Sequence, residues 1–477
     1  MMPNNHVTIE RKIGMKKLNI IMIALASVVF TGCKSLYGKY ERPDVNTKGI
    51  VRDAVSATDT LVVKDTTSFG NLPWRSVFTD PQLQSLIQQG LNNNPNLLNA
   101  ALNVQMAEAQ LKAAKLAFVP QFTFTPQGTI ASWDGNKASK VYSLPVNASW
   151  SVDLFGNLLS QKRSSQMALL ATKDYQLVVK TQIISNIANM YYTLLMLDSE
   201  LKVLNDMESL TKETWDKMKI QHDLSRGVRS TAVQSAEANY YSVQTQKTDI
   251  KRQIRETENS LSLILGQPAQ TIARSTLESQ SLPTNLSTGI GIQMLSNRPD
   301  VHYSEMSLAE CFYNIETARS RFYPSLTING SGAYTNSSGA GIVNPGKILL
   351  SAVGSLVQPI FMKGQLTAGL KVAKAQYEQA YNTWQNSVFK AGSEVSNALV
   401  LYNSSEEKSK IEAQRMKVLQ KNVMDTKDLM AGSTSTYLEV ITAQQLLLNS
   451  ELSKIGDDFS KMQAVVNLYY ALGGGSK

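Results

Sequence analysis

Along most of this chain apolar residues recur every three or four positions, but in two places the period drops to two. The first change falls at Pro120 in "KLAFVPQFTFTP", Lys115 to Pro126, and the second at Pro324 in "RSRFYPSLTING", residues 319 to 330. Before each proline the spacing predicts helix; after it, side chains split by parity and predict strand. Phe122, Phe124, Gly128 and Ile130 fall on one face, against Gln121, Thr123, Thr125, Gln127 and Thr129 on the other. Beyond the polar turn "DGNKAS", Tyr142, Leu144, Val146, Ala148, Trp150 and Val152 oppose Ser143, Asn147, Ser149, Ser151 and Asp153. The two runs predict a β-hairpin over residues 120–154, with strands of roughly ten residues. That length crosses a bilayer in a β-barrel. It equally suits a hairpin of a soluble sandwich with its odd face in water, and alternation alone does not choose between them.

The two switch points belong to an internal repeat. At an offset of 204, Pro95/Pro299, Leu111/Ile315, Ala114/Ala318, Lys115/Arg319, Phe118/Phe322, Pro120/Pro324 and Thr123/Thr327 correspond. Further on, Gly227-Val228-Arg229-Ser230 aligns with Gly432-Ser433-Thr434-Ser435, and Leu265-Gly266 with Leu472-Gly473. The halves are therefore two versions of one unit, residues 74–270 and 271–477, with a second hairpin at 324–361. Asp80-Pro81 and Asn94-Pro95 each set a capping side chain before a proline at the first helical position, so helices start at both. Leu158 to Arg226 contains neither Gly nor Pro over 69 residues, and at 1.5 Å per residue an unbroken helix would reach about 100 Å. Leu169, Leu177, Ile184, Tyr191, Leu195 and Leu201 form a coiled-coil-like stripe along it. After the Arg226-Gly227 turn, Val228 to Leu265 is again free of both. A long helix goes out and another returns. The second-half counterparts carry Gly369, Gly392 and Gly456, which predicts bending there.

The N-terminus sets the compartment. Met15-Lys16-Lys17 reads as a second start, followed by thirteen mostly apolar residues, Leu18 to Phe30, and then "TGCKS". Thirteen residues are too few to span a bilayer as a helix, which needs about twenty. Residues 1–32 read as a signal peptide. Thr31-Gly32-Cys33 resembles a bacterial lipobox, with Phe30 where Leu usually stands, so Cys33 becomes the lipidated N-terminus. An ordinary signal peptide cut near Gly32 is the other reading. Residues 33–73, rich in Lys, Asp, Thr and Ser, form an extended leader. The only other cysteine, Cys311, leaves no disulfide framework. Net charge is 47 − 38 = +9. Basic residues do not cluster with aromatics, which argues against nucleic acid as a partner.

Catalytic chemistry finds little to stand on. Beyond residue 32 the histidines are His222 and His302, far apart in sequence, and no phosphate-cradling loop, nucleophile elbow or metal-ligand spacing occurs. We expect no enzyme, no metal and no cofactor. A fibrous coiled-coil lipoprotein would account for the helices and Cys33, but not for two alternating hairpins at the same point of both repeats. Two hairpins supply four membrane strands, and four cannot close. Open edges in lipid leave backbone groups unpaired at several kcal/mol each. The expected fold is mainly α with membrane β: a β-barrel shared between copies of the chain over an α-helical barrel, Pro120 and Pro324 marking where helix becomes strand.

The motifs "YERPDV", "LPWRSVFTDPQLQSLIQQGLNNNPNLLNAAL", "NRPDVHYSEMSLAE", "ARSRFYPSL", "QPIFMKGQL", "LILGQP" and "YYALGGG" cover nearly all of the chain after Cys33. Together they resemble the TolC-like outer-membrane efflux protein family, and within it the lipidated branch that serves resistance-nodulation-division pumps. The resemblance implies a homotrimer in outer-membrane lipid, its helices in the periplasm, docked to a periplasmic adaptor and an inner-membrane pump and conducting cargo passively. A duct for type I protein secretion is the alternative. It also implies a periplasmic gate at "YLEVITAQ", with Tyr437, Leu438, Glu439 and Thr442. The family's second acidic position is Thr442 here. Glu439 reads alternatively as a solvated helix-end carboxylate. The turns carrying Arg226, Gly227 and Ser230, and Gly432 and Ser435, correspond to adaptor-facing tips, where Ser230 or Ser435 can also cap the returning helix.

Overall fold

The computed structural model describes residues 38–44, 69–132, 134–135, 137–224, 227–281, 298–337, 342–431 and 436–476. A short helix α1, Trp74–Val77, precedes α2, Pro81–Asn93, and α3, Pro95–Leu116. The Asp80 carboxylate accepts from Gln82 N at 2.8 Å, and Asn94 Oδ1 from Asn96 N at 2.9 Å, so each capping residue ahead of a proline satisfies an orphan donor of the first turn. Then come strands β1, Gln121–Phe124, β2, Gln127–Ala131, and β3, Ser139–Val152, followed by the helices α4, Asn157–Asp223, and α5, Ser230–Ile264. The second half repeats the order: α6, Pro299–Ser320; β4, Ser325–Ser337; β5, Ile342–Val357; α7, Gln365–Ala431; α8, Tyr437–Ala471.

The duplication extends to element length. α3 and α6 each have 22 residues, α4 and α7 each 67, and α5 and α8 each 35. α7 runs unbroken through Gly369 and Gly392, and α8 through Gly456. The three glycines leave their helices continuous. A Cβ at Gly369 or Gly456 would meet no atom within 4 Å, so both sit on open faces where the cost is only glycine's roughly 1 kcal/mol of propensity.

These residues fall into two compact units. One gathers residues 38–44, Met106–Leu169 and Met306–Asn382 and holds every described strand. Its sheet is a meander ordered β1-β3-β4-β5, with β2 beside β1 on the same edge of β3. The hairpins of the two repeats therefore pair through β3 and β4, Trp150 opposite Ile328 and Val146 opposite Gly332. The first outgoing strand is two pieces rather than one run of ten. Pro126 has no N–H for the ladder, and the strand breaks there, Thr125 N still reaching Pro145 O at 3.2 Å. In the loop from β2 to β3, Asp134 and Gly135 both have positive φ, 55° and 73°.

The other unit gathers residues 69–105, Leu170–Glu305 and Thr383–476. Here α4 and α5 pack on α7 and α8 in successive layers: Leu204, Met207, Val243 and Leu448; then Val423, Ala443 and Leu447; then Met218, Ala232, Ala236 and Ile441. Full burial of the Leu, Met, Val and Ile side chains among them stabilises by about 1.5–3 kcal/mol each. Among the described residues no helix is long and apolar enough to cross a membrane.

Candidate channel-forming elements

The strand register fixes what each face of the sheet offers. Phe122 pairs with Ala148, Phe124 with Val146, Leu144 with Tyr334 and Gly332 with Leu350, so even-numbered positions share one face across the strands up to the register shift between Thr335 and Ser337. That face is apolar and uncovered: Phe122 is 70% exposed, Ile130 73%, Leu350 78%. The opposite face carries Thr123, Asn147, Ser149, Asn329 and Ser351. Asn147 Nδ2 donates to Thr125 Oγ1 at 3.0 Å, and Ser149 Oγ to Asn329 Oδ1 at 2.8 Å, so polar groups there satisfy one another across strands. The β1/β2 edge and the β5 edge have no partner among the described strands.

The helix-to-strand junctions are built alike. α3 ends with Val119 N donating to Leu116 O, and Pro120 leads into β1; α6 ends with Tyr323 N donating to Ser320 O, and Pro324 leads into β4. Proline suits the site because it cannot extend a helix and disfavours helical geometry in the residue before it. At the far end of β3, Asp153 turns from strand residue to helix cap: its carboxylate accepts from Leu158 N at 3.1 Å and Leu159 N at 2.8 Å. The sequence reading placed Asp153 on the polar strand face and missed this role.

At the first helical turn Gly227 has φ +79°, a conformation that favours glycine. Ser230 does not cap. The N-cap is Arg229, whose side chain makes no capping bond, and Ser230 is the first helical residue. Arg226, Gly432 and Ser435 lie outside the described residues, as does Cys33. At the start of α8, Tyr437 packs against the layer of Met218, Ala232, Ala236 and Ile441. Leu438 is 62% exposed, and Thr442, one turn on, is exposed beside it. Glu439 closes a capping box with Thr436, whose N donates to the Glu439 Oε2 at 2.9 Å while its side chain faces the Glu439 N–H. The structure thus groups Leu438 and Thr442 on an outward stripe, turns Tyr437 toward the core and binds the Glu439 carboxylate to its own helix end.

Two buried charge networks hold the helix ends, and the sequence reading named neither. Arg298 precedes Pro299 as Asn94 precedes Pro95. It donates to both Asp300 carboxylate oxygens at 2.9 and 2.7 Å, to Glu394 at 2.7 Å and to Ala471 O at 2.9 Å. Burial disfavours its charge, but Asp300 and Glu394 more than offset that and hold the guanidinium pKa above its ordinary value. Asn94 performs the same service in the first half, donating from Nδ2 to Ile264 O at 2.8 Å. Arg274 binds Asp198 and the buried Glu258. Nearby, Tyr191 OH and Gln280 Nε2 both donate to Asp80 Oδ2, at 2.6 and 2.8 Å. Burial opposes ionisation of Asp80, but these bonds and Gln82 N outweigh it and hold the carboxyl below its usual range, while burial and Asp80 push Tyr191 up to about 12. His302 Nδ1 lies 2.6 Å from Asp174 Oδ2, and His222 is exposed beside Asp223. Among the described residues no group of three or more His, Cys, Asp or Glu is placed to hold a metal ion.

The family model described as outer membrane efflux protein matches residues 86–267 and again 292–474, once per repeat. The chain is 28% identical over 472 residues to the cation efflux system protein CusC of Escherichia coli strain K12, covering 96% of this chain and 99% of that one. It is 25% identical over 467 residues to the probable outer membrane lipoprotein SilC of Salmonella typhimurium, covering 97% and 99%. Its fold superposes on the open state of the MtrE outer membrane channel of Neisseria gonorrhoeae with a TM-score of 0.82 at 22% identity, covering 93% of this chain and 99% of that one. Matched over both repeats, this chain belongs to the outer membrane efflux protein family and serves in the outer membrane as an efflux channel.

Proposed function

We propose that three copies of this chain close one twelve-stranded barrel, β5 of each pairing with β1 and β2 of the next. The carrying observation is the sheet itself, four strands wide, apolar on one face and open at both edges. Lipid tolerates no unpaired edge, so the backbone demands neighbours, and the family resemblance sets their number at three. Residues 1–32 act as signal peptide, Cys33 carries the lipid and 33–73 form the leader, followed by the repeats at 74–270 and 271–477. The long helices form the periplasmic tunnel. The tips at Arg226, Gly227 and Ser230, and at Gly432 and Ser435, meet a periplasmic adaptor that couples the duct to an inner-membrane pump. Threefold symmetry gathers the starts of α8 round one axis, where Leu438, exposed beside Thr442, supplies an apolar constriction. Small cations are the cargo class we favour, on the likeness to CusC.

Cysteine pairs test the assembly. In a Cys311→Ser background, single cysteines spread along β1 and β5 should form disulfides between copies for one register, giving dimers and trimers on oxidation and no higher species. A ladder that continues past three, or cross-links within one chain only, would overturn the closed trimer.

A further inference from the structure

In the helical unit, α3, α4 and the end of α5 enclose a groove of about 360 Å³, within the range of small-ligand pockets. Its composition is unlike the rest of the chain. None of its lining residues is charged, in a protein with 18% charged residues. The floor is small and apolar: Ala100 is 1% exposed, with Val179 and Ile183 buried beside it. The walls are neutral amides, Asn96, Asn99 and Asn103 along α3 and Gln182 and Asn186 along α4, all exposed. Helical spacing explains the alignment, since residues three and four apart share a face. The side-chain amides of Asn99, Asn103 and Asn186 meet no hydrogen-bonding partner among the described residues. Asn94, also in the lining, is by contrast committed to the ends of α3 and α5. Tyr175 contributes an exposed ring, 5.7 Å from that of Tyr303.

Amides that both donate and accept, an apolar floor and an aromatic ring in a lining without charge are the complement of a sugar. Hydroxyls and acetamido groups pair with Asn and Gln, and the C–H face of the ring lies on apolar and aromatic surface. A nucleotide or phospholipid headgroup would require a cation, and the groove has none. We propose that this groove binds a glycan of N-acetylated amino sugars, the chemistry of the cell-wall strands that lie between the two membranes. Asn99, Asn103 and Asn186 would take the acetamido and hydroxyl groups, and Tyr175 the ring face. The outer-membrane placement makes such a strand reachable, and the site is independent of where the channel narrows.

Calorimetric titration of the full-length, detergent-solubilised protein with tetra-N-acetylchitotetraose tests this, with cellotetraose, which lacks acetamido groups, as comparator. Saturable binding of the acetylated oligomer, at least tenfold tighter than cellotetraose, is expected. Asn99→Ala with Asn103→Ala should weaken it tenfold or more, and so should Tyr175→Ala. Should the double variant lose native oligomer migration, Asn99→Asp, a single exposed change that places a charge in the groove, keeps the test alive through the same tenfold loss. No saturable binding, equal affinity for both oligosaccharides, or binding unmoved by these substitutions would overturn the proposal. Single-channel conductance in the same preparations reports the duct separately.

Discussion

At the scale of single residues, Glu439 caps its own helix in addition to the gate role its position suggests. Glu439 fits a T-x-x-E capping signature with Thr436, legible in sequence, yet the family likeness drew attention to its charge. Glutamine can cap in the same way, so the two functions separate experimentally. Glu439→Gln should leave thermal unfolding within about 0.5 kcal/mol of the parent while removing one charge per copy, so any fall in cation preference in single-channel recordings reports the charge alone. Glu439→Ala should cost about 0.5–2 kcal/mol more, on the scale of a lost cap. Arg298 was illegible because an arginine before a proline reads as solvated; only the folded chain brings Glu394 and Ala471 O to it. Arg298→Ala leaves two carboxylates and a carbonyl facing a 2%-exposed site and should cost about 3–5 kcal/mol in unfolding experiments. Asp80 gives a pH signature. Its carboxyl ionises more readily folded than unfolded, so its contribution is complete above the ordinary carboxylate pKa of about 4 and is lost as pH falls through the depressed folded value. Asp80→Asn should flatten the acid limb of stability below about pH 4 and leave the pH 5 to 8 region parallel to the parent.

Elements were far more legible than side-chain partners. Asp80-Pro81 and Asn94-Pro95 announced the starts of α2 and α3 because a cap and a proline are local signals. Gly- and Pro-free runs announced α4 and α5. What local signals could not convey was pairing: nothing near residue 146 specifies that β3 lies against β4 from the other repeat. Nor did the alternation warn that Pro126 divides the first strand. The register now makes the two faces of the sheet testable beyond the first hairpin. Arginine at Leu350, on the apolar even face, should cost about 2–4 kcal/mol in membrane folding titrations, whereas arginine at the adjacent Ser351 should be tolerated. Equal tolerance would mean that this face does not meet hydrocarbon.

For the whole molecule, duplication makes the two halves alike in length but leaves them different in fastening, an amide in one and a guanidinium in the other closing the same helix end. A second asymmetry lies where the chain's beginning meets its end. Tyr469 OH donates to Leu72 O at 2.7 Å, its ring lies 5.6 Å from that of Phe69 and 5.7 Å from that of Phe78, and a Cβ on Gly70 would collide with Leu472. These partners are nearly 400 positions apart. The consequence is one of timing. Residues 69–78 can settle early on the neighbouring Gln84 and Gln88, but their seat against Tyr469 and Leu472 stays open until those residues have followed them through the translocation pore. Contacts of such sequence separation form late and slowly. In pulse-labelled cells, protease protection of the segment around Phe78 should therefore lag behind completion of the chain, and Tyr469→Ala should lengthen that lag while the unfinished protein lingers on periplasmic chaperones.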